Sequence, residues 1–308
     1  MKKLLISLAA LFAAATLASA QSMADATEIA KLANESLGTG DYDTALAGFK
    51  EALTMAEACG DEGLELVATC KDIIPKTMNA IAKGLLQDKK YDEAVAKFLE
   101  TAAVAKEYGD EELAGKAEDL IPQIYMQKGS ALLKAQDFAG ADEAFSKVLE
   151  LQPANGNAAF QKGEALRSAG KNAEAIEAYK LAAANGQEKN ANTRLGSMYL
   201  SSAQAQLKAK KFAEAVKDAD TSFEYSQNAN ALYIAGMACQ YAGKNADAIK
   251  YFEQYIDAAP TAKNAGQVAY TVGALYQNAK NNAKAKEYYQ KAVASGYADA
   301  QKALSALK

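Results

Sequence analysis

From Asn157 to Ala182 (NAAFQKGEALRSAGKNAEAIEAYKLA) the apolar positions recur with a helical rhythm twice, on either side of a short polar turn. The first stretch sets Phe160, Gly163, Ala165 and Leu166 on one side. The second sets Ala175, Ile176, Tyr179, Ala182 and Ala183 at spacings of one, three, three and one, the stripe of a helix with one buried face. Between them lie Ser168 to Asn172, where Gly170 supplies the permissive backbone of a sharp helix end. The pattern predicts two short helices. A pair this small cannot bury its own apolar face, so it has to stack on copies of itself.

The chain contains those copies. A turn marker followed by small, apolar and aromatic residues recurs at Tyr42, Tyr91, Phe138, Asn172, Phe212, Asn245 and Asn282, with steps of 49, 47, 34, 40, 33 and 37. A step near 34 with small residues at fixed places resembles the tetratricopeptide repeat (TPR) family, over nearly the whole chain after its first twenty residues. The resemblance puts the small residue of the first helix at Ala33, Ala82, Gly129, Gly163, Ala203, Gly236 and Gly273. It puts the small residue opening the second helix at Ala45, Ala94, Ala141, Ala175, Ala215, Ala248 and Ala285. The family's aromatic near the start of the first helix is mostly missing, with Ala159 and Ala269 in its place. Two segments, Tyr179 to Gly196 and Tyr289 to Gly296, look more like the related Sel1 repeat, a variant of the same helical hairpin.

The first two units share an extension. Gly60-Asp61-Glu62 returns as Gly109-Asp110-Glu111, and Asp72-Ile73-Ile74-Pro75 as Asp119-Leu120-Ile121-Pro122. The apolar rhythm Val67, Cys70, Ile74, Met78, Ile81, Leu85 runs straight through Pro75, and that of Leu113, Ala117, Leu120, Ile124, Leu132 through Pro122. A proline kinks a helix without having to end it. Two long, Pro-kinked helices are expected near 63–87 and 111–135. A break into two helices at each proline is the alternative, since Pro also suits a first helical position. The expected architecture is all-α: a single right-handed superhelical solenoid over 21–308, built from about seven antiparallel helix pairs. The units fall near 26–58, 63–108, 111–153, 156–186, 190–226, 229–260 and 265–296. A polar-backed capping helix follows at 298–308, and residues 21–26 read as a disordered leader.

Residues 1–20 read as a signal peptide: basic Lys2 and Lys3, an apolar run from Leu4 to Ala15, and the small-x-small pattern Ala18-Ser19-Ala20. A membrane anchor is the other reading, but the run is too short to span a bilayer comfortably. The expected location is therefore exported, in the periplasm or at the cell surface, with no membrane insertion after cleavage. The formal charge of −4 becomes −6 once Lys2 and Lys3 are lost, which argues against a nucleic-acid partner. Arg167 and Arg194 are the only arginines.

The chain has no His and no Trp. Without imidazole there is no His general base, no His-activated nucleophile and no His metal ligand. Three scattered cysteines make no zinc site. The expectation is no enzyme, no cofactor and no metal. Cys59 and Cys70 flank the turn at Gly60-Asp61, but at ~1.5 Å rise per residue they are offset by roughly 10 Å along the hairpin, too far for an undistorted disulfide. They read as small buried hydrophobes.

In proteins of the family this chain resembles, the first helices line a concave groove that binds an extended peptide or a partner's helix. Here that face would carry Asn79 and Lys83, then Met126 and Gln127, then Asn157, Phe160, Gln161 and Arg167. It continues with Ser197, Leu200, Ser201 and Gln204, then Tyr233, Met237, Gln240 and Tyr241, and ends with Tyr270, Thr271, Gln277 and Asn278. The strongest candidates are Asn157, Phe160, Gln161, Arg167, Ser197, Gln204, Tyr233, Met237, Gln240, Tyr270 and Gln277. They are mostly amides, hydroxyls and aromatics, which suit a peptide backbone. The Lys, Asn and Arg cluster that clamps a terminal carboxylate in chaperone-binding members is absent. The implied function is a non-enzymatic scaffold of the bacterial cell envelope that binds a protein or extended peptide. A carbohydrate-binding or envelope-structural module is the alternative, weakened by the lack of Trp. A third possibility is that the face is simply solvated and its aromatics only pack.

Overall fold

The computed structural model describes residues 22–307, and every regular element among them is helical. The signal-peptide segment, 1–20, lies outside the described residues. The chain divides into two compact units, 1–153 and 154–308. In the first, α1 spans 22–39, α2 Tyr42–Ala58, α3 Leu64–Gln87, α4 Tyr91–Glu107, α5 Glu111–Lys134 and α6 Phe138–Leu151. In the second, α7 spans Gly156–Ser168, α8 Asn172–Ala182, α9 Glu188–Lys208, α10 Phe212–Ser226, α11 Ala229–Tyr241, α12 Asn245–Ala258, α13 Ala265–Asn278, α14 Asn282–Ala294 and α15 Ala298–Ala306.

One repeating device builds both units. Each first helix ends on a residue in the left-handed region: Gly40, Lys89, Gln136, Gly170, Lys210, Gly243 and Lys280, with φ between +59° and +83°. The following N–H reaches back five residues to a helix carbonyl, as in Lys171 to Leu166 (2.9 Å) and Asn281 to Tyr276 (2.9 Å). This is a Schellman turn, which satisfies carbonyls that a helix end otherwise strands. Asp41, Asp137 and Asn281 then cap the second helices α2, α6 and α14, accepting from the backbone N–H three residues on.

The small residues do what close helix crossing requires. Ala45, Ala94, Ala141, Ala175, Ala215, Ala248 and Ala285 are all fully buried. Sixteen residues after the small position of each first helix stands a second-helix side chain that packs over it. A Cβ added at Gly129, Gly163, Gly236 or Gly273 would lie 2.6–2.7 Å from the ring of Phe145, Tyr179, Phe252 or Tyr289. The corresponding residues in the first two pairs are Phe49 and Phe98, again buried rings. The fifth pair breaks the pattern with Ala219 against Ala203, both buried.

Helices α3 and α5 run unbroken through Pro75 and Pro122, so neither proline starts a new helix. Both prolines are buried with the apolar stripe that carries the helix past the lost hydrogen bond. The expected disordered leader is corrected. Residues 22–26 already belong to α1, because Ala26, Ala30 and Ala33 form a buried stripe at helical spacing. Between α8 and α9 the backbone leaves helical geometry at Asn185 (φ −119°, ψ 42°) and Gly186 (φ +89°), which separates the two helices. Gly156 is pressed against that bend, where an added Cβ would sit 2.0 Å from the Asn185 carbonyl oxygen. No two of the three cysteines are bridged to one another; Cys70 and Cys239 are buried, and the Cys59 thiol donates to the Met55 carbonyl at 3.2 Å. No helix among the described residues is long and apolar enough to cross a membrane.

Candidate functional site

The eleven strongest candidates all lie in the second unit, on its successive first helices α7, α9, α11 and α13. Asn157, Arg167, Ser197, Gln204 and Gln277 are exposed, and Phe160, Gln161, Tyr233, Met237, Gln240 and Tyr270 are half-buried. The aromatics stand three residues before the small position, so each leans on the ring that covers it. Phe160 sits 5.6 Å from Tyr179. Tyr233 lies 6.2 Å from Phe252 and 5.5 Å from Tyr255. Tyr270 lies 5.5 Å from Tyr289 and 5.2 Å from Tyr297. These rings therefore serve packing while remaining partly exposed. Gln277 accepts a hydrogen bond from the Tyr289 hydroxyl at 2.6 Å, which fixes its amide.

Arg167 and Ser197 come together in one cleft of about 610 Å³, where α9 faces the α7–α8 turn. Ile176, Met198 and Ala205 supply its apolar wall, with Ser201 and Arg194 beside them. The remaining candidates are seated separately in their own helix pairs.

Both arginines of the cleft donate to Glu164, which follows Gly163 on α7. Its Oε1 accepts from the Tyr179 hydroxyl (2.6 Å) and from Arg194 Nε (2.7 Å). Its Oε2 accepts from Arg167 (3.1 Å) and from an Arg194 terminal nitrogen (3.4 Å). Burial resists ionisation of Glu164. The hydrogen bonds from Tyr179 and Arg167 and the charges of both guanidiniums outweigh that resistance and hold the carboxyl below its ordinary range. Burial and the bond to Glu164 together push the Tyr179 hydroxyl well up.

Similar tyrosine–carboxylate pairs recur further along. Tyr251 donates to Asp220 at 3.0 Å and Tyr276 to Glu253 at 2.8 Å. Burial raises Asp220 despite that bond, and burial and Glu253 move Tyr276 up to about 12. On the seam between α9 and α10, Tyr199 and Tyr225 stack at 5.9 Å, nearly parallel. A second cleft of about 510 Å³ lies among α10, α11 and α12, with Phe212, Val216 and Cys239 on its wall and Lys244 and Lys250 at its rim.

Sequence reading missed Glu164 and Arg194. The available signal was the i, i+3 pairing of Glu164 with Arg167 on one helix face. Nothing local marks Arg194, thirty residues on. Among the described residues no group of three His, Cys, Asp or Glu side chains is placed to hold a metal ion.

Comparison with known proteins yields repeats. Tetratricopeptide repeat models match residues 126–190, 200–263 and 266–295, and neither model describes an enzyme. No curated protein sequence matches the chain. Among solved structures, a MamA protein is similar at 22% identity, over 59% of this chain and 96% of its own, with a TM-score of 0.36. YrrB, a TPR protein with an unusual peptide-binding site, is similar at 20% identity over 56% of this chain and 84% of its own, with a TM-score of 0.33. The C-terminal part of a TPR repeat-containing protein from Cytophaga hutchinsonii is similar at 18% identity over 70% and 78%, with a TM-score of 0.37. Over its matched residues the chain is built of tetratricopeptide repeats.

Proposed function

We propose that the first-helix face of the second unit binds an extended peptide or the surface of a partner protein, as a non-enzymatic scaffold exported to the cell envelope. The observation that carries this reading is the repeated placement of partly or fully exposed polar groups on α7, α9, α11 and α13, joined on α7, α11 and α13 by an aromatic set by the same ring packing. Phe160, Tyr233 and Tyr270 are immobilised by the rings behind them, so they offer contact area at small entropy cost. Asn157, Ser197, Gln204 and Gln277 supply exposed donors and acceptors for a peptide backbone. The repeat segments at Tyr179–Gly196 and Tyr289–Gly296 read as Sel1-like variants within the same array. The leader at 1–20 is the basis for export, with cleavage after Ala20.

A photo-crosslinking amino acid placed at Gln204 tests the reading, with one at Lys217, exposed on α10, as control. Irradiation of producing cells should give a defined protein adduct from position 204, and none from 217. The adduct should weaken when Gln277 is replaced by Lys. Equal labelling from both positions would remove the face from consideration. Recovered polysaccharide at 204 would favour the carbohydrate-binding module instead. Intact-mass measurement of the exported protein should place its first residue at Gln21.

A further inference from the structure

The two arginines of this chain lie on different helices and converge on one carboxylate. Glu164 is the inner member, with a side chain 18% exposed, while Arg167 and Arg194 are 41% and 46% exposed. Negative charge is thus inside and positive charge outside. Glu164 takes one N–H from Arg167 and two from Arg194. Each guanidinium has five N–H donors in a planar fork, so both keep several for a group in the cleft. With Glu164 ionised, the cluster carries one net positive charge. The half-buried glutamate holds both forks in place, so a ligand need not order two long side chains. Ser197 and Ser201 spend their hydroxyl protons on backbone carbonyls of α9 and offer the cleft only acceptor oxygens. The charged donors on the lining of the cleft are therefore the two arginines, set beside an apolar wall of Ile176, Met198 and Ala205, with the Asn172 amide and the Tyr199 hydroxyl as neutral donors, while Ser202 gives its proton to Asp218 at 2.6 Å.

We infer that this cleft seats the carboxylate side chain of an aspartate or glutamate, next to an apolar residue, within an extended peptide ligand. The inference rests on the peptide-binding reading of the first-helix face and specifies its chemistry. Most of the other candidate side chains along that face are uncharged, so the fitting ligand is a largely neutral peptide with one acid and not a polyacidic tail. The recognised group is internal to the peptide, so it needs no free chain terminus.

The test exploits the scarcity of arginine. The Nε–H region of a ¹⁵N NMR spectrum should hold two sharp arginine signals, from Arg167 and Arg194. Terminally blocked pentapeptides Ala-Leu-X-Tyr-Ala are titrated into the full chain with X as Glu, Gln or phosphoserine. The Glu peptide should shift both signals, the Gln peptide should bind about tenfold more weakly, and added salt should weaken the Glu peptide alone. Arg194→Gln should abolish the Glu-over-Gln preference, while backbone spectra report whether that variant stays folded. Equal binding of Glu and Gln peptides, with shifts near Tyr233 and Tyr270 but none at the arginines, would sink the inference and leave the face itself intact. Response to phosphoserine and not to Glu would also overturn it, in favour of a phosphate site. If no peptide moves either arginine signal, the cleft is no acid seat, and the crosslinking result decides the wider reading independently.

Discussion

Two glycines of helix α5, Gly115 and Gly129, should answer the same substitution with opposite signs. An alanine Cβ at Gly115 meets no atom within 4 Å. At Gly129 it would lie 2.7 Å from two ring carbons of Phe145 and 3.0 Å from a third. Replacing a helix-interior Gly by Ala gains up to about 1 kcal/mol of helix propensity, and Gly115→Ala should keep most of that gain. Phe145 is fully buried, so its ring has nowhere free to go. Overpacking a filled site costs about 1–3 kcal/mol, which exceeds the propensity gain. Gly129→Ala should therefore lose up to about 2 kcal/mol net. Hydrogen exchange read by mass spectrometry on α5 peptides suits an array that opens locally. At 1.4 kcal/mol per tenfold, protection should fall by up to roughly thirtyfold for Gly129→Ala and rise roughly two- to fivefold for Gly115→Ala. A second arm removes the obstacle: in a Phe145→Leu background the penalty of Gly129→Ala should shrink, a coupling expected of residues in contact. If both alanines raise protection in the parent chain, the ring does not rest on Gly129 and the packing account of the repeats is wrong.

Other predictions follow from the turns, the glutamate cluster and the thiols. Lys89, Gln136, Lys210 and Lys280 hold left-handed backbone that glycine adopts freely, so each change to Gly should stabilise its helix pair by about 0.5–1 kcal/mol, read as a raised urea midpoint. Glu164→Gln should cost about 1–2 kcal/mol at neutral pH by leaving both arginines without a charged partner. Because its folded carboxyl lies below the ordinary 4.5, the contribution of Glu164 is present above that value and lost as pH falls through the folded one. The gap between wild type and variant in pH-dependent melts should accordingly close on acidification. Burial pushes the thiols of Cys70 and Cys239 up, so a thiol reagent should label the half-exposed Cys59 first and reach the other two only through local opening.

Much of the fold was legible because its determinants are short-range. The buried alanines that open the second helices and the small residues of the first stand at constant offsets, so a spacing argument finds them. The turn was legible where Gly170 or Gly243 occupied it, and opaque at Lys89 or Lys280, whose side chains give no sign of left-handed backbone. The apolar stripes through Pro75 and Pro122 carried more weight than the prolines themselves. Residues 22–26 were not legible as helix because a single small residue, Ala26, carries the buried stripe of Ala30 and Ala33 into them. The candidate face was legible as a set of positions and not as an environment. Phe160, Tyr233 and Tyr270 looked outward-facing, yet each is half-covered by a ring in the next helix. The Glu164 cluster joins residues thirty apart on α7 and α9, a meeting that no local pattern announces.

The Schellman turns described above also bear on how the chain acquires its shape. The hydrogen bonds of each turn join residues three to five apart, and the aromatic seats join residues sixteen apart. Closing such small loops costs little chain entropy, so low contact order and rapid folding are the expected regime. Each helix pair holds its own turn and finds its stacking partner in the neighbouring pair, so no pairing between distant ends of the sequence has to be found first. Folding can start at any of these turns and spread to its neighbours. A chain emerging from the N-terminus would bury apolar surface one hairpin at a time, with little exposed for long to misassembly.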